Sequence, residues 1–214
     1  MTNGCSCSDA VHCSCFTALH HFSSALQSRY AVAADTRLEQ FLTRFFQLRQ
    51  VANKGHLISA GEIARQVYFI HRGIFRVYYI DPQGNEVNQQ FYQPGEVVAP
   101  VLSLTRDEPS PFYLQALTDA EVLQAPYPDL QRAGRNDAMW LAAENAILKA
   151  VYLNTARREA QMLLGGAEQR YRWFLRENPQ LAEQLPLYQI ASYLNVTPVS
   201  LSRLRKKLSQ SSTG

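Results

Sequence analysis

Glycines at positions 61, 73, 84 and 95 recur at intervals of 12, 11 and 11 residues. Such punctuation suits antiparallel strands each closed by a turn, since glycine enters left-handed turn conformations without steric cost. The stretches between them agree. Val67 to His71 and Ile74 to Ile80 are rich in β-branched and aromatic residues, and Asp81-Pro82-Gln83-Gly84-Asn85 is a hairpin turn leading into Val87 to Tyr92. Prolines at 109, 111, 126 and 128 then delimit shorter strands around Tyr113 to Leu117 and Glu121 to Ala125. Short strands at this spacing predict a small barrel or jelly roll between Gly55 and Leu130.

The flanks have helical period. From Phe16 to Val51, Leu38, Phe41, Leu42 and Phe45 recur three and four apart, and Thr36-Arg37-Leu38-Glu39 has the form of a capping box. From Arg135 to Leu164 there is no proline or glycine, which predicts a helix roughly 45 Å long. Its apolar residues Trp140, Leu141, Ile147, Leu148, Val151, Met162, Leu163 and Leu164 need cover from a second copy or a neighbouring domain. Gly165-Gly166 breaks it, and a shorter helix runs to about Glu177 before Asn178-Pro179. The class is α+β.

Charge divides along the chain. Residues 1–149 hold 12 Lys+Arg against 14 Asp+Glu, whereas residues 150–214 hold 9 against 4, so a formal +3 is the sum of −2 and +5. A basic C-terminal third reads as an anion-binding module joined to a sensor or scaffold. No apolar run is long enough to span a bilayer, and the first 30 residues lack a signal-peptide core, so a cytoplasmic location is expected. All four cysteines (Cys5, Cys7, Cys13, Cys15) fall within 11 residues. In a reducing compartment they read as a thiol or metal site, able to hold Zn²⁺, Cu(I) or an iron–sulfur cluster with His12 as a further donor.

The strongest motif spans Leu187 to Lys206. Ile190, Ala191 and Leu194 form the inner face of a short helix, Asn195 suits a left-handed turn, and Val196 plugs it. Thr197 is an N-cap and Pro198 a first helical residue, after which Leu201, Leu204 and Leu208 make a buried stripe. Ala191 gives the small contact that two steeply crossing helices need. This is a helix-turn-helix pattern. Its DNA-facing set is Thr197, Pro198, Val199, Ser200, Ser202, Arg203, Arg205, Lys206 and Lys207. Arg203 is placed to read guanine through two parallel hydrogen bonds, and Arg205, Lys206 and Lys207 to neutralise phosphates.

N-terminal helices, a glycine-punctuated roll ending in Gln93-Pro94-Gly95-Glu96, a long helix and a C-terminal helix-turn-helix together resemble the CRP/FNR superfamily of bacterial transcription regulators over about residues 35–208. The resemblance implies a Cys-rich tail and helix at 1–34, a cyclic-nucleotide-binding-like roll at 35–134, a dimerisation helix at 135–164 and a winged helix-turn-helix at 165–214. It also implies a homodimer on a palindromic operator, contact with RNA polymerase, and no enzymatic activity. Effector contacts implied by the family fall at Gly95 and Glu96, with Thr155 on the long helix. The family's phosphate-binding arginine cassette is replaced by Ser110-Pro111-Phe112, with Arg106 four residues upstream, so control by cyclic AMP is not expected. The oxygen-sensor branch uses a fourth cysteine in the roll, and none is present here. The signal is left as a small molecule, a metal or a redox change at the thiols. A cupin-like metalloenzyme is the alternative from another class, and it would draw on His56 and His71.

Overall fold

The structure, a computed structural model, describes residues 14–211. The chain divides into two compact units, one comprising residues up to Val77 with Phe91–Ala150, the other Tyr78–Gln90 with the residues from Val151 on. Among the described residues no helix is long and apolar enough to cross a membrane.

The described chain opens with α1 (Ser14–Ser28) and α2 (Thr36–Phe45), followed by strands β1 (Gln47–Val51), β2 (His56–Ile58), β3 (Gln66–Arg72), β4 (Phe75–Ile80), β5 (Glu86–Tyr92) and β6 (Val97–Val98). After α3 (Val101–Arg106) come β7 (Tyr113–Ala116), β8 (Ala120–Pro126) and α4 (Tyr127–Gly134). The strands form two four-stranded sheets, ordered β1-β8-β3-β6 and β2-β7-β4-β5. This is the expected roll. Side chains alternate across a strand, so in the first sheet Val67, Phe69, Leu123 and Ala125 pack with Phe22, Leu26 and Leu42 of the helices, while Tyr68, Ile70 and Val122 fill the roll interior with Phe75 and Leu114.

All four spaced glycines have φ between 84° and 91°. At Gly73 there is a second constraint, because a Cβ there would lie 2.5 Å from Ala120 Cβ. The Asp81 carboxylate closes the next hairpin by accepting from the backbone N–H of Gln83 at 2.9 Å and of Asn85 at 2.8 Å.

Several features depart from what the sequence predicts. The helical pattern read as far as Val51 stops at Phe45, and Gln47–Val51 pairs antiparallel with β8 from Gln47↔Gln124 to Val51↔Ala120. Sheet pairing overrides a local helical pattern there. The capping residue of α2 is Asp35, which accepts from Arg37 N–H at 2.8 Å, while Glu39 instead accepts from the Ser23 hydroxyl of α1 at 2.9 Å. The long helix α5 (Ala138–Leu164) begins three residues late because Asp137 caps it, accepting from Met139 N–H at 2.9 Å.

Polar contacts dock α1 on the roll. Arg29 pairs with Glu96, the Tyr30 hydroxyl accepts from Val97 N–H at 3.0 Å, and His21 Nδ1 lies 3.0 Å from His71 Nδ1. His71 is buried on β3, and its Nε2 sits 3.9 Å from Glu121 Oε2, each of these two atoms lacking a hydrogen-bond partner among the described residues. Burial holds both imidazoles below the usual histidine range, and a second positive charge nearby (His20 for His21, His21 for His71) lowers each further.

The second unit holds the hairpin tip between β4 and β5, the C-terminal half of α5, and the helices α6 (Ala167–Glu177), α7 (Pro179–Gln184), α8 (Leu187–Tyr193) and α9 (Pro198–Ser211). Asn88 of the hairpin is buried against α8. Its amide donates to Gln189 Oε1 at 2.5 Å and to the Gln189 carbonyl at 3.0 Å, and its backbone N–H donates to the Ser192 hydroxyl. No strand follows β8 among the described residues, so the wing implied by the resemblance has no strand there.

Gly73→Ala is expected to destabilise by about 3 kcal/mol, from left-handed strain plus overpacking, whereas Gly84→Ala, with nothing within 4 Å, is expected to cost about 1 kcal/mol. Urea unfolding midpoints of the two variants measure the difference. The histidine pair sets a pH dependence. A group whose pKa is depressed by folding contributes stability above its unfolded pKa and loses it as pH falls, so the midpoint should drop as pH falls through about 6.5, the ordinary histidine value, and below. The drop should be shallower in His71→Gln.

Candidate DNA-binding site

The site is built from α8, a four-residue turn and α9. Ile190, Ala191 and Leu194 are buried on one side and Leu201 on the other, with Leu204 and Leu208 half-buried behind it. The turn is fixed by its own backbone. Asn195 sits at φ 53°, Val196 N–H donates to the Ala191 carbonyl at 3.0 Å, and Leu194 N–H donates to that of Ile190 at 3.0 Å. The next helix is capped as its sequence requires. Thr197 Oγ1 accepts from Ser200 N–H at 3.1 Å and lies 2.8 Å from the Ser200 hydroxyl, so these two residues define the helix start.

Two arginines not singled out from the sequence hold the C-terminal end of α8. Arg170 of α6 donates to the Leu194 carbonyl at 2.9 Å and to the Gly165 carbonyl at 2.8 Å. Arg158 of α5 donates to the Tyr193 carbonyl at 3.2 Å and lies 4.8 Å from that ring's centroid. The last carbonyls of a helix have no intrahelical donor, so guanidinium groups are apt partners. Neither arginine shows in a local pattern, because each reaches the turn only through tertiary packing.

Pro198, Val199, Ser200, Ser202, Arg203, Arg205, Lys206 and Lys207 are all exposed on α9. Val199, Ser202 and Arg203 lie on its first turns, away from Leu201. Lys207 differs from its neighbours. Its ammonium lies 3.3 Å from Glu168 of α6, which also pairs with Arg172 at 3.0 Å, and these contacts hold the Glu168 carboxyl below the usual range. Lys207 therefore ties α9 to α6 as well as adding to the basic end of the helix.

The residues expected to contact an effector belong to different elements. Gly95 is the turn before β6, and the Glu96 carboxylate accepts from Gln93 N–H at 2.7 Å and pairs with Arg29. Burial nevertheless keeps its pKa above the usual carboxylate range. Arg106 is exposed on the last turn of α3, 3.8 Å from Glu108. Thr155 belongs to the second unit, where its hydroxyl donates to the Val151 carbonyl. Ser110 is buried, and its hydroxyl donates to the Phe112 carbonyl. These residues do not fit a buried cyclic phosphate, since the cassette segment carries no cation and Glu96 is committed to α1. A cation the sequence reading passed over is buried in the roll instead: Arg76 of β4, donating to Gln115 Oε1 at 2.9 and 2.7 Å.

Cys5, Cys7 and Cys13 lie outside the described residues, as does His12. Cys15 is half-buried in the first turn of α1. His56 packs edge-on to Tyr113 while His71 meets His21, and among the described residues no group of three or more His, Cys, Asp and Glu is arranged to hold a metal. The clustered donors of a cupin-type centre are not brought together there.

Residues 48–137 match the cyclic nucleotide-binding domain family. No curated protein matches the chain in sequence. Among solved structures it is similar to FixK2 from Bradyrhizobium japonicum, with 19% identity and a TM-score of 0.67 over 78% of this chain and 86% of that one. It is also similar to the c-di-GMP-responsive global regulator CLP of Xanthomonas campestris, with 16% identity and a TM-score of 0.65 over 82% and 91%. Thermus thermophilus catabolite activator protein aligns over 88% of each chain, with 20% identity and a TM-score of 0.53. With a cyclic nucleotide-binding domain at residues 48–137 and a helix-turn-helix at its C-terminal end, the chain has the fold of the CRP/FNR transcription regulators.

Proposed function

We propose that this protein is a sequence-specific, DNA-binding transcription regulator that acts as a homodimer on a palindromic operator. The observation that carries the reading is the capped α9, which buries Leu201 and leaves Val199, Ser202 and Arg203 exposed at its start. A helix held this way can enter the major groove with its N-terminal turns against base edges. Arg205 and Lys206 then meet phosphates, and Arg203 reads a base.

The dimer reading rests on α5. Tyr152, Leu163 and Leu164 are 72%, 76% and 86% exposed, an apolar load that a second copy of the same helix would cover. Two such chains place recognition helices on half-sites about 34 Å apart. In this reading RNA polymerase is a further partner, and the chain works in the cytoplasm. CLP is described as responding to c-di-GMP. Here the cassette chemistry argues for a signal other than cyclic AMP.

A second reading puts the signal at Cys5, Cys7, Cys13 and Cys15, as thiolate donors to a metal or as redox groups. It is favoured by the position of Cys15 at the head of α1, a helix that His21, Arg29 and Tyr30 fasten to the roll.

Arg203→Ala is expected to weaken operator binding by about 1–3 kcal/mol and to relax the preference at one base pair, whereas Lys206→Ala should weaken all sequences alike and reduce the salt slope by about 1. Gel-shift titrations on the palindrome near the protein's own gene, at several salt concentrations, distinguish these. Sequence-independent binding, unchanged in Arg203→Ala, rejects the proposal. Replacing all four cysteines by serine should abolish any oxidant- or metal-dependent change in operator affinity, and equal affinities throughout would reject the thiol reading.

A further inference from the structure

Beneath α1 and α2, on the helix-covered face of the first sheet, lies a cavity of about 130 Å³ that belongs wholly to the first unit. It is on the opposite side of that sheet from the roll interior, because its sheet-side walls are Val67 and Val97, whereas Tyr68 and Val98 point the other way. We propose that this cavity is a binding site for a small, uncharged, apolar molecule, up to about the size of toluene or a six-carbon alcohol.

Volume and lining set the class of ligand. Protein interiors normally leave few voids larger than a water molecule, and a leucine- and phenylalanine-lined cavity of about 150 Å³ in another protein stays dry and takes up benzene. The present lining is of that kind, with Phe22, Leu26, Leu42, Trp140 and Ala143 buried around it. Its walls are braced against collapse: Phe22 stacks on Phe69 at 4.3 Å between centroids, and Trp140 stacks on Phe41 at 4.7 Å. The hydroxyl protons at the cavity are already donated within the protein, that of Tyr127 to Glu144 at 2.9 Å and that of Thr105 to the Val101 carbonyl at 2.6 Å.

The charge pattern sets selectivity. No lysine, arginine or histidine lines the cavity, and its one carboxylate is Glu144. Burial and Glu144 push the Tyr127 phenol up to about 12, so the phenol stays a neutral donor to that carboxylate. A ligand carboxylate or phosphate would thus find no cation and would meet a like charge. Entry is between α3 and α5, where Val101, Thr105 and Leu148 line the cavity and are themselves exposed.

The test uses the full chain carrying Trp173→Phe, which leaves Trp140 as its one tryptophan. Toluene and 1-hexanol should shift Trp140 emission and, at ten times Kd, raise Tm by ~3 °C, while benzoate and hexanoate bind at least ~10-fold more weakly. Ala143→Phe fills the cavity and should abolish the effect. Leu148→Trp, at the exposed rim, should weaken it at least ~10-fold without altering the buried wall, and Glu144→Gln should strengthen hexanoate binding. Absence of any emission or Tm change with toluene and 1-hexanol overturns the proposal. So does equal affinity for toluene and benzoate, or undiminished toluene binding in Ala143→Phe and Leu148→Trp.

Discussion

A strand buried on both faces has no face left for water, and the first unit is organised around the middle of β3 and the β8 residues beside it. Positions 67 to 70 of β3 are apolar and buried without interruption, and β8 runs beside it from Gln66↔Pro126 to Arg72↔Glu121. Neither strand could survive on a two-layer sandwich with one wet face, because half of its side chains would stay in water. The second cover comes from α1 and α2, whose Phe22, Leu26, Leu38 and Leu42 seat on Val67, Phe69 and Leu123. The helices that precede the roll are therefore part of its core. That dependence explains why polar groups such as Arg29, Tyr30 and His21 are spent on fixing α1, and why burying His71 is tolerated.

What could be read in the sequence was what is decided locally. Glycine is the residue least penalised at positive φ, so Gly61, Gly73, Gly84 and Gly95 marked the turns directly, and Thr197, Pro198 and Asn195 marked the helix-turn-helix for the same kind of reason. What could not be read is decided by partners distant in sequence. β1 exists because β8 lies beside it, and Val97–Val98 is a strand of two residues that only pairing with β3 defines. Within the candidate site, the exposed face of α9 was legible from its periodicity. The clamps Arg158 and Arg170, and the Lys207–Glu168 contact, were not, since no spacing rule connects residues 24 to 39 apart.

The basic excess of the C-terminal third also changes meaning once placed. Arg158 and Arg170 donate to carbonyls, Arg172 and Lys207 share Glu168, and Arg176 pairs with its neighbour Glu177. Much of the positive charge counted from the sequence is thus structural, spent on orienting α8 and α9. A uniform basic surface would attract any polyanion through counterion release, with affinity that carries little sequence information. Charge concentrated on Arg203, Arg205 and Lys206 of one helix instead ties electrostatic attraction to the same element that would read base edges.

The long helix is apolar in two directions. Trp140, Ala143 and Ile147 fall on one stripe and pack into the core cluster with α1 and α2, while Leu141 and Tyr152 fall on a second, roughly a third of a turn away, and are exposed. A helix serving one interface needs a single stripe, so the second requires a separate partner surface. The same helix passes from the first unit into the second at Ala150–Val151 and ends in the exposed Leu163 and Leu164. The one helix therefore carries core contacts near its start and exposed apolar side chains along the rest.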